Sequence, residues 1–383
     1  LAATRVGADG LIEKGRENLL LQSNQFDTTW GNSNTTETGG QADKDGGTDA
    51  WLLTKSAGSG YLIQSLTPSG VQTISIYAKA GDSDWVYLQA VGTSTASCYF
   101  DLINGTTGVT GALINKSIES VGNGWYRCSI TYNQTLSNFR IYPAEANSLS
   151  ATSGNIYIQD AQLEIGLAAT DYIESGATTG KAGLLEDEPR LDYSGGATCP
   201  SLLLEPSRTN LVPQTEYFND ASWAKVGSSV TPNATTSPDG TINASKLVED
   251  TSTGGHQIQS IISASNSTIY TTSVFVKYAG REWIRFTDAQ SSNRIHFNTL
   301  TGVFGTISGT VIDYNKTALE NGWYKLSFTT TSVATAYTPR IALSEADNDV
   351  SYTGDGTSGI YIWGAQLEEG SYPTSYIPNH SGG

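Results

Sequence analysis

Large aromatic side chains alternate with apolar ones along several short segments of this sequence. In Trp85-Val-Tyr-Leu-Gln-Ala90, the residues Trp85, Tyr87 and Gln89 occupy every second position. Successive side chains of a β-strand point to opposite faces, so the segment predicts an apolar core face and an outward face that carries two aromatic rings. A sugar presents an apolar C–H face and a rim of hydroxyls, which flat rings flanked by hydrogen-bonding groups can bind. The pattern therefore predicts a glycan-binding surface.

The same alternation predicts outward aromatic residues beside basic ones elsewhere in the chain. The complete set of candidate glycan contacts is Trp85, Tyr87, Trp125, Arg127, Tyr157, Trp283, Arg285, Trp323, Lys325 and Trp363. Further positions predicted to face outward are Tyr99, Asp101, Arg140, Tyr142, His296, Asn298, Arg340 and Tyr361. A competing interpretation is that paired Trp side chains pack against each other, or under Arg and Lys stems, and so cap a sheet or bury a subunit interface.

Residues suited to covalent chemistry are sparse. The three histidines, His256, His296 and His380, have no partner at the spacing of metal ligands or of an acid–base pair. The sequence contains neither a Gly-x-Ser-x-Gly nucleophile elbow nor a phosphate-binding loop. We therefore expect a protein that is not an enzyme and has no catalytic residues.

Two acidic loops could supply oxygen ligands to a structural calcium ion, the only cofactor that the sequence suggests. The first loop contains Asp43, Asp45 and Asp49, and the second contains Asp347, Asp349 and Asp355. Neither loop has the spacing of a consensus calcium-binding loop, so solvated acidic turns are the alternative interpretation.

A repeat divides the chain into two related parts. The segment 361–377 matches the segment 157–173 at ten of seventeen positions, which indicates two copies of one domain. Each copy follows two short apolar runs around a glycine-rich turn, a pattern that predicts a β-hairpin leader. The predicted division is a leader at 1–17, a first copy at 18–175, a linker and second leader at 176–209, and a second copy at 210–383.

Composition and charge narrow the class of protein. The 41 Gly residues and the low charged fraction of 15% are typical of short strands joined by polar turns, so each copy is predicted to be a β-sandwich of the jelly-roll kind. No apolar run approaches the roughly 18 residues of a membrane span, so membrane insertion is not expected. The net charge of −16 argues against nucleic acid as a partner.

The three cysteines are not predicted to form disulfides. Cys98 and Cys128 align with Ile295 and Leu326 in the other copy, so both are interpreted as buried core residues. The third, Cys199, lies in the second leader.

Several short segments of the sequence resemble segments of bacteriophage tail-fibre, head-fibre and spike proteins. They include Asn-Gly-Trp-Tyr at 123–126 and 321–324, Ser-Ile-Tyr-Ala-Lys-Ala-Gly at 75–81, and Tyr-Ile-Trp-Gly-Ala-Gln-Leu-Glu at 361–368. The resemblance implies an extracellular virion appendage, commonly a homotrimer, that contacts other virion proteins and binds glycans of the host cell surface through jelly-roll domains similar to carbohydrate-binding modules. It carries no catalytic motif.

Two other functions stay open from the sequence. The chain could be the carbohydrate-binding region of a secreted polysaccharide-degrading enzyme, or a purely structural virion or capsid-decoration protein whose outward Trp residues are subunit contacts. In addition, the first copy has Gln159-Asp160 where the second has Trp363-Gly364. Because of this difference, the two copies need not bind the same ligand.

Overall fold

The computed structural model describes residues 4–185 and 188–380 and divides into two compact units. The first unit comprises residues 16–183, and the second comprises residues 184–380 together with 4–15. Each unit is built on two six-stranded sheets, and the pairings between named strands are antiparallel. The predicted fold class, two tandem all-β sandwiches of the jelly-roll kind, is confirmed.

The first unit contains sheets 1A and 1B. Sheet 1A has the strand order Thr106–Thr110, Thr95–Asp101, Trp85–Gly92, Leu136–Ala144, Tyr61–Ser65 and Gly31–Ser33. Sheet 1B has the order Asn115–Gly122, Trp125–Asn133, Val71–Ala80, Gly154–Ile165, Ala50–Lys55 and Thr35–Gln41. A short pair, Arg16–Asn18 with Gly180–Ala182, joins the two ends of the unit.

The core of the first unit lies between its two sheets. Val86, Leu88 and Ala90 of sheet 1A are fully buried there, as the alternation of the sequence predicted. Cys98 and Cys128 lie in the same core as free thiols, which confirms that they are buried hydrophobic residues, whereas the free Cys199 is exposed.

The second unit repeats this arrangement in sheets 2A and 2B. Sheet 2A has the order Ala224–Val226, His256–Gln259, Pro339–Ser344, Trp283–Asp288, Arg294–Asn298 and Val303–Ser308. Sheet 2B has the order Ser228–Thr235, Ala244–Glu249, Gly359–Glu369, Ile269–Ala279, Trp323–Thr331 and Val311–Ala318. Four short pairs and one 3₁₀ turn complete the described strands and helices of this unit: Arg5–Val6 with Ile12–Glu13, Leu191–Asp192 with Ser201–Leu202, Thr253–Gly254 with Tyr352–Thr353, Ile262–Ser263 with Ala336–Tyr337, and Glu320–Gly322.

The first hairpin belongs to the second unit and not, as the order of the sequence suggested, to the first copy. The amide of Ile12 donates to the carbonyl of Pro238 at 2.9 Å, and its side chain joins the apolar cluster that contains Trp323 and Trp363. Lys14, two residues after Ile12, forms ion pairs with the buried carboxylates of Asp239, at 2.8 Å, and Glu216, at 3.1 Å. The leader is therefore held in place by an apolar contact and a buried ion pair within the second unit.

A buried asparagine ties the start of each copy to its last long strand and closing segment. In the second unit, the amide nitrogen of Asn210 donates to the carbonyls of Ala365, at 3.0 Å, and Ile377, at 2.8 Å. Its oxygen accepts from the amides of Val212 and Leu367, both at 3.1 Å. Asn18 makes the same four contacts in the first unit, with Ala161, Ile173, Leu20 and Leu163.

The repeated Ala-Gln-Leu-Glu motif holds the closing segment in the same way in both units. In the second unit, the Gln366 side chain donates to Glu368 at 2.7 Å and accepts from the amide of Ile377 at 2.8 Å. The Glu368 carboxylate then accepts from the amide and hydroxyl of Thr374, both at 2.8 Å. Gln162, Glu164, Thr170 and Ile173 form the equivalent network in the first unit. The strongest sequence repeat is therefore a structural clamp.

Replacing Asn210 tests the strength of this clamp. We expect Asn210→Ala to lower the free energy of unfolding of the second unit by on the order of 3 kcal/mol, because it leaves buried amides and carbonyls without partners. Urea unfolding at neutral pH measures the change. Asn266→Ala, at an exposed position, is the control and should change the free energy by less than about 0.5 kcal/mol. Equal stabilities of the two variants would contradict the role of the clamp.

The Lys14 ion pair should make the second unit sensitive to acid. Burial alone would raise the pKa of Asp239, but the charge of Lys14 and the hydrogen bonds from Lys14, Ser237 and Thr241 hold that pKa well below its usual value. A carboxyl whose pKa is lowered by folding stabilises the fold above its unfolded pKa and loses this contribution as the pH falls.

We therefore expect the stability of the second unit to fall below about pH 4, and to fall less steeply in Asp239→Asn. Scanning calorimetry between about pH 2.5 and pH 7 measures the unfolding midpoints of both proteins. Parallel pH profiles for the wild type and the variant would refute this assignment.

Candidate functional site

The outward face of sheet 1A carries five aromatic side chains from four neighbouring strands. Tyr87, on the strand Trp85–Gly92, lies opposite Tyr99 on one neighbouring strand and opposite Tyr142 on the other. The pleat directs these three side chains away from the core because Val86 and Leu88, on either side of Tyr87, point into it. The set Tyr61, Trp85, Tyr87, Tyr99 and Tyr142 is named the aromatic platform.

The platform is built in two layers. The rings of Tyr87 and Tyr99 lie 4.1 Å apart between centroids at an interplanar angle of 31°, and Tyr142 lies 5.4 Å from Tyr87. Tyr87 and Tyr142 are buried at 9% and 4% exposure, whereas Tyr61, Trp85 and Tyr99 are half-buried. The inner rings therefore support the outer ones, which keep part of their surface accessible to a ligand.

One edge of the platform is polar. The guanidinium of Arg140 lies 4.8 Å from the ring centroid of Tyr61, and its Nε donates to Asn138 at 2.8 Å. The Tyr142 hydroxyl donates to the side-chain oxygen of Gln89 at 2.9 Å. Burial raises the pKa of Tyr142 even though Arg140 opposes the shift, so the phenol is protonated at neutral pH. A flat apolar surface bordered by a guanidinium and an amide suits one face and the hydroxyl rim of a sugar.

The corresponding face of sheet 2A has a different chemistry. Arg285 occupies the position equivalent to Tyr87. It lies opposite His296 on one neighbouring strand and opposite Ala342 on the other, as Tyr87 lies opposite Tyr99 and Tyr142. Trp283 begins this strand as Trp85 begins the other, and both are half-buried. The face is thus cationic where the platform is aromatic.

Trp125 and Arg127 lie on the outward face of sheet 1B, and the structure assigns them structural roles. Trp125 is 1% exposed, so its ring is not available to a ligand. Arg127 donates to the hydroxyl of Ser75 at 3.2 Å and to the carbonyl of Thr170 in the closing segment, with its guanidinium over the Tyr77 ring. Tyr157 on the same sheet is half-buried, in register with Lys79.

Trp323 and Trp363 are likewise internal in the second unit, and Lys325 is half-buried. Trp323 and Trp363 are both 2% exposed or less, and they pack with Ile12, Phe275 and Tyr376 as well as Ala244. Lys325 donates to the carbonyl of Thr374 at 2.7 Å, as Arg127 does to that of Thr170. The alternation correctly put these residues outside the sandwich core, but the leader and the closing segment bury them, which sequence periodicity cannot show.

Four of the six aspartates proposed as calcium ligands accept hydrogen bonds from backbone amides. Asp43 accepts from the amides of Asp45 and Gly47 at 2.8 and 2.7 Å. Asp347 accepts from the amide of Thr306 at 2.8 Å, and Asp349 and Asp355 each accept from amides within their own turns. Within 4–185 and 188–380, no three His, Cys, Asp or Glu side chains, Asp49 included, come together as a metal site. The hydrogen bonds favour the alternative of acidic turns.

The sequence prediction missed two positions on the outward faces of sheets 1A and 2A. Leu62, the residue after Tyr61, lies in the core. The alternation in Tyr61-Leu-Ile-Gln64 would therefore have placed Tyr61 on the outward face. Arg294 lies two positions before His296 on the same strand and face. Both could have been found by applying the rule that identified Tyr87.

The comparisons with known proteins give distant likenesses only. No protein-family model matches the chain, and no curated protein matches it. Among solved structures, it is similar to the enzymatically active domain of tailspike protein 4 of bacteriophage CBA120, with 14% identity and a TM-score of 0.27 over 41% of this chain and 21% of that one.

A second solved structure contains the tandem CBM51 modules of the family 98 glycoside hydrolase from Streptococcus pneumoniae, with 10% identity and a TM-score of 0.19 over 84% of each chain. A third combines the M60 catalytic domain with two CBM51 domains of ZmpB from Clostridium perfringens, with 10% identity and a TM-score of 0.21 over 90% of this chain and 38% of that one. What this chain binds is therefore inferred from its own side chains. In the described residues, no helix is long and apolar enough to cross a membrane.

The two groups of aromatic residues should differ in their effect on stability. We expect Trp323→Ala to lower the free energy of unfolding by about 3–5 kcal/mol, because it leaves a cavity in a buried cluster. Tyr99→Ala, at the half-buried surface of the platform, should cost clearly less. Urea unfolding of both variants gives the comparison, and a larger loss for Tyr99→Ala would reverse the assignment of the two groups.

Proposed function

We propose that the chain is a non-enzymatic glycan-binding protein and that the aromatic platform of the first unit is its sugar-binding surface. The observation that carries the proposal is the two-layered arrangement of the rings, in which buried Tyr87 and Tyr142 support the accessible edges of Tyr61, Trp85 and Tyr99. Rigid, pre-positioned rings bind with little loss of conformational entropy. A sugar would stack its C–H face on these rings.

The polar edge supplies the hydrogen bonds that stacking alone lacks. Gln89 and Arg140 lie opposite each other on neighbouring strands and offer an amide and a guanidinium to sugar hydroxyls. The guanidinium of Arg140 at this edge already contacts Asn138 and Tyr61. This arrangement favours a neutral sugar over a densely charged one.

The place of action is proposed from the sequence resemblance to phage fibre and spike proteins. A virion appendage presents several copies of one weak site, and linked sites gain avidity without new contacts. We therefore place the chain on the outside of a virus particle, as a homo-oligomer such as a trimer, with a host-surface glycan and other virion proteins as partners. The net charge of −16 supports a partner other than nucleic acid.

A glycan-array screen of the purified chain tests the proposal, with its oligomeric mass measured by light scattering. We expect binding to neutral glycans that weakens about tenfold in Trp85→Ala and in Tyr99→Ala, which corresponds to roughly 1.4 kcal/mol per ring. Tyr278→Ala removes an exposed tyrosine of the second unit and serves as the matched control. The bound polysaccharide should gain no new reducing ends on incubation.

Three outcomes would count against the proposal. A folded oligomer that binds no glycan, or one whose binding is unchanged in both platform variants, would remove the platform as a sugar site. Dissociation of the oligomer in Trp85→Ala and Tyr99→Ala would identify the platform as a subunit contact of a structural virion protein. Cleavage of the bound polysaccharide would make the chain an enzyme.

A further inference from the structure

Three arginines and a histidine share the outward face of sheet 2A. Arg285 lies opposite His296, and Thr287, two positions further along the same strand, lies opposite both Arg294 and Arg340 on its neighbouring strands. All four side chains therefore project from adjacent positions on one side of the sheet. The set Arg285, Arg294, His296 and Arg340 is named the arginine face.

Part of the hydrogen-bonding capacity of this face is unused, although the Nε of Arg340 donates to Gln259 at 2.8 Å. Within the described part of the chain, the buried Nε atoms of Arg285 and Arg294 have no hydrogen-bond partner. His296 is fully buried; its Nδ1 bonds to the carbonyl of Thr306 at 2.9 Å, and its Nε2 has no partner among the described residues. Buried polar atoms are normally paired, so three orphaned atoms on one face are unusual.

Among the described residues, no carboxylate forms an ion pair with these guanidinium groups, although the charge of Asp288 opposes the lowering of the Arg340 pKa by burial. Burial lowers the pKa of Arg285, and the neighbouring charges of Arg340 and Arg294 lower it further. The nearby carboxylates accept other hydrogen bonds: Asp347 accepts from Thr306, and one oxygen of Asp288 accepts from the amide of Thr338 at 3.0 Å, while its other oxygen has no partner among the described residues. Like charges held close together in a partly buried site destabilise the fold unless an anion joins them.

The outward face of sheet 2A has an arginine, a histidine and an alanine at the positions where the platform of the first unit has three tyrosines. The register that stacks Tyr87 between Tyr99 and Tyr142 places Arg285 between His296 and Ala342. Ala342, which is itself buried, is much smaller than the tyrosine at its equivalent position. Trp283 at the start of the strand remains as a half-buried ring.

We infer that the arginine face binds an acidic sugar residue, one that carries a carboxylate or a sulfate group. Guanidinium groups bind such oxyanions through paired N–H donors. Trp283 offers a ring for the C–H face of the sugar. That the ligand is a sugar rests on the proposed function. That it carries an acidic group rests on the arginine face alone.

The overall charge of the chain limits the ligand further. A chain of net charge −16 repels densely charged polyanions, and the cations of this face are few. An acidic glycan with one charged group among neutral sugars therefore fits better than a polyphosphate. The two units would then recognise different parts, or different kinds, of glycan.

Native-gel affinity electrophoresis of the full chain tests this inference, with lightly carboxymethylated dextran, lightly sulfated dextran or uncharged dextran cast in the gel. We expect retardation by at least one of the charged polymers, weakened by salt. The retardation constant should fall at least tenfold in Arg285→Gln and in Arg340→Gln, and less in Arg285→Lys, which keeps the charge but loses the paired donors. Lys181→Gln makes the same change of charge at an exposed site of the first unit and is the control.

The possible results separate this inference from the proposed function. No retardation by either charged polymer, or equal retardation of the wild type and the Arg285→Gln variant, would overturn the acidic-sugar site, whether or not the platform variants lose neutral glycans. Inorganic sulfate that binds as tightly as the polymers, measured by calorimetry, would reduce the site to one for a free anion and overturn it as a glycan site. Calorimetric unfolding of each variant establishes that it is folded.

Discussion

The rest of each unit depends on the hydrogen bonds of one buried asparagine at the start of each copy. Asn18 and Asn210 each satisfy two carbonyls and two amides where the first residues of the copy, the last long strand and the closing segment meet. Backbone groups buried at such a junction have no water to bond, so one amide side chain that pairs with four of them fixes three segments at once. The Gln-x-Glu pair then holds the segment that follows. The best-conserved stretch between the two copies is therefore the part that closes the sandwich.

This closure decides which faces of the sandwich can bind a ligand. In each unit a basic residue of sheet B, Arg127 or Lys325, donates to a carbonyl of the closing segment, at Thr170 or Thr374. The closing segment thus lies over the outward side of sheets 1B and 2B, and in the second unit the first hairpin adds Ile12 to the cover. On sheets 1A and 2A the outward sides carry the half-buried outer rings of the platform and the half-buried arginines of the arginine face, and it is there that the two units differ.

Periodicity predicted the sheets and their core faces because alternation depends on local backbone geometry. It predicted Val86 and Leu88 inside and Tyr87 outside, and the structure agrees. It could not predict that Trp323 and Trp363 are buried, since their cover comes from residues more than 300 positions earlier in the chain and from the closing segment. Nor could it show that the first hairpin joins the second unit, because the decisive ion pair of Lys14 joins residues about 200 positions apart. Contacts of this range leave no local pattern.

The difference between Asp160 and Gly364 shows how one backbone supports two chemistries. Both residues have positive φ, 54° and 63°, at the bulge beside the Gln-x-Glu pair, a conformation that glycine adopts freely and aspartate tolerates better than most residues. The preceding residue then differs freely: Trp363 fills an apolar cluster, whereas Gln159 accepts from the amide of Lys44 at 3.2 Å. The same logic holds on the outward A sheets, where register is kept and side chains change. Duplication preserved the hydrogen bonds that close the sandwich and left the open face free to diverge from rings to guanidinium groups.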